Sequence, residues 1–241
     1  MANGQASMKT LVMMPTYNEA AGIEHAISEL LAKVSDVDLL VIDDNSPDQT
    51  ASVVTNVFSS NPRVHLMSRS SKQGLGKAYL AGYKWGIERG FERLVQMDAD
   101  GSHRPEDLVR LLEAQADLVI GSRWIAGGSV QNWPRHREAI SRFGNWYAGV
   151  ATGLPIKDLT AGFRVYSAQF LTRLDLVSLE AQGYGFQVEM TRRAVAAGAT
   201  WTEVPITFVE RETGASKMTN QIIFEAFWLC TKWGFERLFR R

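Results

Sequence analysis

The sequence predicts an α/β fold in which a mostly parallel sheet is flanked by helices. Through the first half of the 241-residue chain, short apolar runs alternate with segments of helical length, and this alternation is typical of βαβ units. Acidic clusters follow the second and fourth apolar runs, where ligands bind in parallel sheets because the carboxyl ends of the strands meet there. The length suits one α/β domain with a sizeable core, or such a domain with a small appendage.

The first half is expected to hold five strands and the helices between them. We assign the strands to residues 11–14, 37–42, 64–67, 93–97 and 117–120. The first helix is expected near residues 19–34, and Asp48 is placed to cap the second. A third runs from Gly74 to about Arg89, and Pro105 lies in the first turn of a fourth, where proline is tolerated.

The second half is less regular. Residues 133–152 have an amphipathic pattern, and residues 157–166 are expected to form a loop that enters a short strand. We predict a helix over 186–197, a strand over 200–209 and an aromatic helical tail over 221–241.

Composition narrows the class of protein. Lys+Arg and Asp+Glu both number 26, so nucleic acid is not an expected partner. The single cysteine, Cys230, excludes an intrachain disulfide and fits a reducing compartment. Residues 1–8 lack the basic and apolar regions of a signal peptide. No run reaches the roughly 18 apolar residues of a spanning helix, so we expect a soluble or peripheral protein.

Asp98 and Asp100 follow the fourth strand. Two carboxylates there suit a hard divalent cation such as Mg²⁺ or Mn²⁺, which would neutralise a diphosphate and help it leave. The alternative is a solvated turn, in which aspartate is common. Because another acidic strand end lies beside this one, we favour the metal site.

Asp43 ends the second strand and is expected to face a ligand, where its carboxylate would accept hydrogen bonds from a nucleobase. After the first strand, Tyr17 suits packing against a base or ribose, and Glu19 suits ribose hydroxyls. Taken alone, these two residues indicate only the acidic start of a helix. The glycines of residues 74–77 match neither the Walker A nor the Rossmann pattern; they allow the backbone to pass close to a ligand.

A basic set is a candidate for phosphate binding, since arginine makes bidentate contacts with phosphate oxygens. Its members are Arg123, Arg135, Arg137, Arg211 and Lys217. Any one of them alone is better explained as a solvated surface charge, so the argument depends on their lying beside the acidic strand ends. The four histidines lack metal-ligand spacing, and no G-x-S-x-G motif indicates a serine hydrolase.

These motifs, in this order, resemble family 2 glycosyltransferases of the GT-A fold and, more narrowly, polyprenyl (dolichyl) phosphate mannose synthases. The resemblance runs from about residue 10 to 217. It is carried by residues 14–19, 41–48, 74–78, 97–100, 121–123, 158–164, 185–190 and 211–217. Residues 158–164 and 211–217 narrow it to enzymes with lipid-phosphate acceptors.

The resemblance implies a role for each matching residue. Those that would hold the guanosine are Pro15, Tyr17, Glu19, Val41 and Asp43. Asp98, Ala99 and Asp100 would face the diphosphate, with Asp100 the principal Mg²⁺ or Mn²⁺ ligand. Catalysis would rest on Asp100 with three cations that contact phosphates, namely Arg123, Arg211 and Lys217. Arg137 and Ser141 would face the acceptor phosphate. Asn45 and Ser102 stand where relatives carry Gly and Gln, which leaves open a further metal ligand at Ser102.

The reaction implied is transfer of mannose from GDP-mannose to polyprenyl phosphate with inversion, by a single displacement through an oxocarbenium-like transition state. A phosphate monoester has a second pKa of about 6, so the acceptor needs placement by Arg135, Arg137 and Arg142 rather than deprotonation. Glu189 is then a sugar-hydroxyl or structural carboxylate. The alternatives are a polyprenyl phosphate glucosyltransferase that uses UDP-glucose and a non-catalytic nucleotide-binding membrane adaptor.

The resemblance also divides the chain into a flexible N-terminus (1–9), a GT-A catalytic domain (10–212) and a C-terminal part (213–241). In the last part we expect a mobile loop around Ser216 and Lys217, followed by an amphipathic helix on the cytoplasmic face of the membrane. The apolar side of that helix would carry Phe224, Trp228, Phe235, Leu238 and Phe239, with Trp233 at the interface. The alternative is a helix packed on the catalytic domain or on a membrane-protein partner.

Overall fold

The computed structural model describes residues 8–176, 178–179, 183–210 and 220–239. The predicted N-terminal segment falls largely outside these residues. So do Arg211, Ser216 and Lys217, together with the loop that carries them.

The described chain contains nine strands and eight helices. The strands are β1 (Thr10–Thr16), β2 (Val37–Asp43), β3 (Val64–Ser68), β4 (Arg93–Gln96), β5 (Leu118–Ser122), β6 (Ser129–Gln131), β7 (Arg164–Ser167), β8 (Trp201–Pro205) and β9 (Thr207–Val209). The helices are α1 (Ile23–Lys33), α2 (Thr50–Phe58), α3 (Leu75–Glu88), α4 (Pro105–Glu113), α5 (Arg135–Thr152), α6 (Ala168–Leu171), α7 (Gly183–Ala196) and α8 (Asn220–Phe239).

The main sheet has seven strands in the order β3-β2-β1-β4-β7-β5-β8. All neighbours run parallel except β7, which lies antiparallel between β4 and β5. The mostly parallel sheet predicted from the sequence is therefore confirmed. Because β7 runs the opposite way, the loop that precedes it reaches the edge where β4 and β5 end, and this loop brings residues 158–163 to the candidate site.

Helices cover both faces of the sheet. Successive side chains of a strand point to opposite faces, so each strand contributes to both clusters. Leu11 and Met13 belong to the cluster covered by α3, α5, α7 and α8. Val12 and Met14 belong to the cluster on the other face, covered by α1 and α4. Gly82 lets α3 lie close to the sheet, since a Cβ there would be 2.7 Å from Met13 Sδ. This two-sided burial explains why the strands read as short continuous apolar runs.

The single strand predicted over residues 200–209 is divided between two sheets. The change of partner occurs at Ile206, whose N–H donates to Ser122 O of β5 at 3.1 Å. Its carbonyl accepts instead from Ser129 N, the first residue of β6, at 3.0 Å. The chain continues as β9, which pairs with β6 in a separate two-stranded sheet.

Asp48 caps α2 although it lies one residue before the N-cap position. Gln49 occupies the N-cap position with φ of 65°, while Asp48 Oδ1 accepts from Thr50 N at 3.1 Å. Its other oxygen accepts from Ala20 N at 2.9 Å. Burial works in the opposite direction, but the hydrogen bonds from Thr50 and Ala20 lower the pKa of Asp48. The expected structural role of Asp48 is confirmed.

The C-terminal helix packs on the catalytic domain with one side and leaves another side exposed. The rings of Tyr147 of α5 and Phe227 of α8 stack with centroids 4.4 Å apart, and Cys230 and Trp233 are buried in the core. Trp228, Phe235 and Phe239 are exposed. Among the helices of the described residues, none is both long enough and apolar enough to cross a membrane.

Candidate active site

The ends of β1 and β2 are joined by Asp43. This carboxylate is 2% exposed and accepts hydrogen bonds from Thr16 Oγ1 at 3.0 Å and from Ser46 N at 3.0 Å. The next residue, Asp44, accepts from Arg69 Nη1 at 2.7 Å and from Gln73 N at 3.2 Å. The acidic pair thus fixes the loop between β3 and α3 beside the strand ends.

Tyr17 and Glu19 lie at the same edge, just after β1. Glu19 N donates to Thr50 Oγ1 at 3.1 Å. The Lys72 ammonium lies 4.0 Å from the centre of the Tyr17 ring, a cation–π contact that local sequence patterns do not predict because the two residues are far apart in the chain. The structure therefore brings Pro15, Tyr17, Glu19 and Asp43 to one edge.

Two of the residues expected to contact the ligand have buried side chains. Val41 is 0% exposed and packs in the core between the sheet and its helices, and Ala99 is 4% exposed in the same cluster. Strand periodicity accounts for Val41, because a residue two before Asp43 in a sheet covered on both faces points into a helix layer. Neither side chain lies at the surface of the site.

Asp98 and Asp100 follow β4 at the centre of the edge, and each is oriented by a neighbour. Asp98 N donates to His103 Nδ1 at 2.9 Å, so the imidazole carries its proton on Nε2, 4.0 Å from Asp98 Oδ2. Burial lowers the pKa of His103, although the charges of Asp98 and Asp100 oppose this shift. Asp100 Oδ1 accepts from both the N–H and the hydroxyl of Ser102. Ser102 thus holds Asp100 in place.

The donor set fits a divalent cation that binds together with a diphosphate. Within the described ranges, no group of three or more His, Cys, Asp and Glu side chains is arranged to hold a metal. Mg²⁺ in nucleotide sites is commonly held by only one or two carboxylates plus phosphate oxygens and water. Asp98 and Asp100 supply that number of hard oxygen ligands, and Gly162 leaves room beside them, since a Cβ there would be 3.8 Å from Asp98 Oδ2.

Arg123 follows β5 and forms a buried ion pair with Asp158. The carboxylate accepts from Nε and Nη2 at 2.7 Å each and from the Arg123 backbone N at 3.0 Å. Arg123 is 6% and Asp158 is 0% exposed. Glu203 in turn accepts from Asp158 N at 3.0 Å. The predicted phosphate ligand is therefore clamped by a residue from the 158–164 motif, a partner that only the antiparallel β7 topology reveals.

Helix α5 carries the residues expected to face the acceptor. Together with Arg123, Arg137 and Ser141 line a cavity of about 190 Å³ whose other walls come from α5, α7, α8 and the loops before α5 and β7. Most of these walls are apolar: Trp133, Ile140, Phe143, Tyr147, Val188 and Phe227. Cys230 also lines it, and burial raises the pKa of its thiol to about 11, so it acts as a small apolar group. A phosphate position thus adjoins an apolar cavity.

Two further arginines of this segment lie elsewhere. Arg142 pairs with Glu138 at 2.8 Å and lies over the Trp124 ring, outside the cavity. Arg135 begins the helix and is exposed. Arg137 pairs with Glu210, another contact that the sequence analysis missed. Glu189, expected to bind a sugar hydroxyl or act structurally, is buried and ion-paired with Arg193 at 2.6 Å.

Comparison with known proteins identifies the family. The profile of Glycosyl transferase family 2 matches residues 11–174. The chain is 49% identical over 229 residues to an undecaprenyl-phosphate mannosyltransferase of Micrococcus luteus, covering 94% of each chain. It is 46% identical to a polyprenol monophosphomannose synthase of Mycolicibacterium smegmatis, covering 97% of this chain and 89% of the other.

A solved structure shares the fold at low sequence identity. The mannosyltransferase PcManGT of Pyrobaculum calidifontis, in complex with GDP-Man and Mn²⁺, superposes with a TM-score of 0.56 at 15% sequence identity. The match covers 95% of this chain and 74% of that one. The seven-stranded sheet, the acidic strand ends and the near full-length matches agree: the chain belongs to glycosyl transferase family 2, in the branch that holds these two bacterial relatives.

Proposed function

We propose that the protein transfers mannose from GDP-mannose to the phosphate of a polyprenyl phosphate, with inversion, and releases GDP. The two bacterial relatives, named for mannosyl transfer to undecaprenyl or polyprenol phosphate, support the acceptor class and the sugar. The GDP-Man complex of the archaeal structural neighbour supports the nucleotide. The resemblance of the acidic motifs to guanosine-binding enzymes points the same way.

The observation that carries the proposal is the cavity at α5. Arg137 and Ser141 stand at an otherwise largely apolar cavity, and Phe143 and Phe227, which line it, are both about half exposed (59% and 48%). A ligand that combines a phosphate with a long hydrocarbon chain satisfies both parts of this site. A sugar or protein acceptor would leave the apolar walls without a partner.

The metal-binding role and the acceptor-binding role fall to different residues. Asp98 and Asp100 would hold a divalent cation, which when bound supplies charge neutralisation of the leaving diphosphate. Ser102 holds the Asp100 carboxylate and His103 holds the backbone of Asp98, so little reorganisation is needed during the reaction. Arg137 would orient the acceptor phosphate, which is already ionised near neutral pH because its second pKa is about 6. No general base is required, and Glu189, held by Arg193, is not needed as one.

A donor panel tests the proposal. Purified protein would be assayed with a short polyprenyl phosphate, Mg²⁺ or Mn²⁺, and GDP-mannose, UDP-glucose, GDP-glucose or UDP-mannose. We expect turnover with GDP-mannose and an anomer of opposite configuration in the product. Preference for UDP-glucose would establish the glucosyltransferase alternative. Nucleotide binding without transfer would instead indicate the non-catalytic adaptor.

Arg137→Ala is expected to raise the KM for polyprenyl phosphate about 10- to 100-fold, because a charge-assisted hydrogen bond contributes about 1.5–3 kcal/mol. The KM for GDP-mannose should stay within about twofold. Raising the pH should not restore the rate, since no base has been removed. Arg173→Ala, at an exposed arginine that does not line the cavity, is the control. A defect in the donor KM alone would reject the assignment of Arg137 to the acceptor.

We propose further that the protein acts as a peripheral protein on the cytoplasmic face of the membrane, held by a surface formed jointly by α5 and α8. Exposed apolar side chains run along both helices: Ile140, Phe143, Trp146, Val150, Phe227, Trp228, Phe235 and Phe239. An open cleft at the end of α5 adds Arg142, Lys157 and Arg237, and none of its described lining residues is a carboxylate. Aromatic groups beside cations suit the interface of an anionic bilayer, where the acceptor must remain.

Liposome flotation tests this surface. Because α8 buries Cys230 and Trp233 in the core, exposed positions should be substituted instead of deleting the helix. Trp228→Gln combined with Phe239→Gln is expected to lower partitioning onto phosphatidylglycerol vesicles about tenfold or more, given about 1.5–3 kcal/mol for each large apolar side chain. Val57→Gln, at an exposed apolar residue of α2, is the matched control. Equal loss with both variants would reject the surface.

A further inference from the structure

The acceptor arginine is already occupied by a carboxylate of the protein itself. The Arg137 guanidinium pairs with Glu210 Oε2 and lies over the Trp133 ring, 4.2 Å from its centre. Both charged side chains are partly buried, with 19% and 25% exposed. A carboxylate oxygen therefore already occupies one Nη donor of the guanidinium to which the acceptor phosphate would bind.

The two-stranded sheet fixes this contact. Strand β6 leads into α5, which carries Arg137, and β9 ends directly before Glu210. Glu210 N donates to Gln131 O, the last residue of β6, at 3.1 Å. At the other end of the pair, Arg137 N donates to Pro134 O at 3.0 Å in the first turn of the helix. Because hydrogen bonds fix the backbones of both residues, the fold itself positions this ion pair.

A phosphate dianion and a carboxylate compete for the same guanidinium. An arginine presents its donors as a planar fork that suits one bidentate oxyanion. A phosphate that approaches Arg137 must displace Glu210 or accept repulsion from its negative charge. A small phosphate gains only the contact with Arg137 and so recovers little of this cost. A polyprenyl phosphate also buries its chain in the apolar cavity, and that burial is unaffected by Glu210.

From this competition, and resting on the acceptor assignment under the proposed function, we infer that Glu210 sets the affinity of the acceptor site. It holds the place of the acceptor phosphate on Arg137 and lowers the affinity of the site for every phosphate by a similar factor. Water-soluble phosphates, which gain only the contact with Arg137, then bind too weakly to occupy the site, whereas a polyprenyl phosphate keeps the binding free energy of its buried chain. Glu210 takes no part in the displacement reaction itself.

Glu210→Gln tests the inference, since the amide keeps the size and can still accept from Arg137 but carries no charge. We expect inorganic phosphate to bind about three- to tenfold more tightly and to inhibit transfer correspondingly better, in line with a partly buried ion pair. The acceptor KM should fall by a similar factor, while kcat and the donor KM stay unchanged. Glu138→Gln, which neutralises the carboxylate paired with Arg142, is the matched control and should change none of these quantities.

The phosphate measurement is made by calorimetry as well as by inhibition, so it does not depend on turnover. In the double variant Arg137→Ala, Glu210→Gln, the gain in phosphate affinity should vanish. Unchanged phosphate affinity in Glu210→Gln, or a gain that persists in the double variant, would overturn the inference. A lower Tm accompanied by a higher acceptor KM would do so too, because it would show that Glu210 only supports the fold. If the wild-type protein showed no transfer, the proposed function would fail, and calorimetry would still decide the role of Glu210.

Discussion

Asp100→Ala is expected to lower mannosyl transfer about 10³-fold or more while leaving the protein folded. Loss of one preorganised group that stabilises developing charge commonly costs about 10²–10³-fold, and loss of a metal ligand removes stabilisation of several kcal/mol from the leaving diphosphate. Asp100 lies after β4 on the loop, not within the sheet, and its carboxylate accepts hydrogen bonds from the neighbouring Ser102. The core packing of the sheet should therefore survive.

Two measurements separate a metal role from general damage. The increase in Tm that GDP and Mn²⁺ produce together should disappear in Asp100→Ala, while the Tm of the free protein changes little. Ser102→Ala removes only the hydroxyl that orients Asp100 and should have a much smaller effect on both quantities. Turnover within about tenfold of wild type at saturating metal, a loss of only about 1.4 kcal/mol, would reject Asp100 as a metal ligand.

The strand ends could be predicted from the sequence because local patterns determine them. Apolar runs that stop at acidic residues placed β2 and β4 correctly, and a parallel sheet then requires Asp43 and Asp98 to share an edge. The amphipathic pattern before Thr152 likewise located α5. In each case the pattern lies within a few neighbouring residues, so a single sequence is sufficient to predict the element.

Contacts between distant segments could not be predicted in this way. Nothing near Arg123 indicates that Asp158 clamps it, since the pairing depends on β7 entering the sheet between β4 and β5 in the antiparallel direction. The pair of Arg137 with Glu210 depends in the same way on the change of sheet at Ile206. The helical spacing of the tail placed its aromatic residues on one apolar side, whereas packing of α8 on the core buries Cys230 and Trp233 and leaves Trp228 exposed.

Arg164 is the buried cation from which we expect the largest effect on stability. It is 0% exposed, and among the described residues no carboxylate lies within ion-pairing distance of it. Its donors instead bind oxygens of three segments: Leu159 O at 2.7 Å, Ala161 O at 2.7 Å, Tyr166 OH at 3.2 Å, Gln187 O at 3.2 Å and Thr191 Oγ1 at 2.6 Å. One side chain thus ties the loop before β7 to β7 and to α7.

Two opposing effects decide how Arg164→Met changes the free energy of unfolding. Methionine fills a similar volume and removes the cost of keeping a cation out of water, and such replacements are sometimes neutral or stabilising. However, it leaves the carbonyls of Leu159 and Ala161 and two hydroxyls without their donor, and each buried unsatisfied group costs about 1–3 kcal/mol. Because several acceptors are lost for one cation, we expect the free energy of unfolding to fall by about 3 kcal/mol or more.

Denaturant unfolding of three variants tests which term dominates. Arg164→Lys should recover little of the loss, since one ammonium cannot reach acceptors on both the loop and α7 as the guanidinium does. Arg142→Met makes the same change at an exposed arginine, and we expect it to cost less than about 1 kcal/mol. An Arg164→Met protein as stable as wild type would show that desolvation of the cation offsets its hydrogen bonds. The expected loss would instead mean that the hydrogen bonds of Arg164, two of which hold the loop that carries Asp158, outweigh the cost of burying its charge.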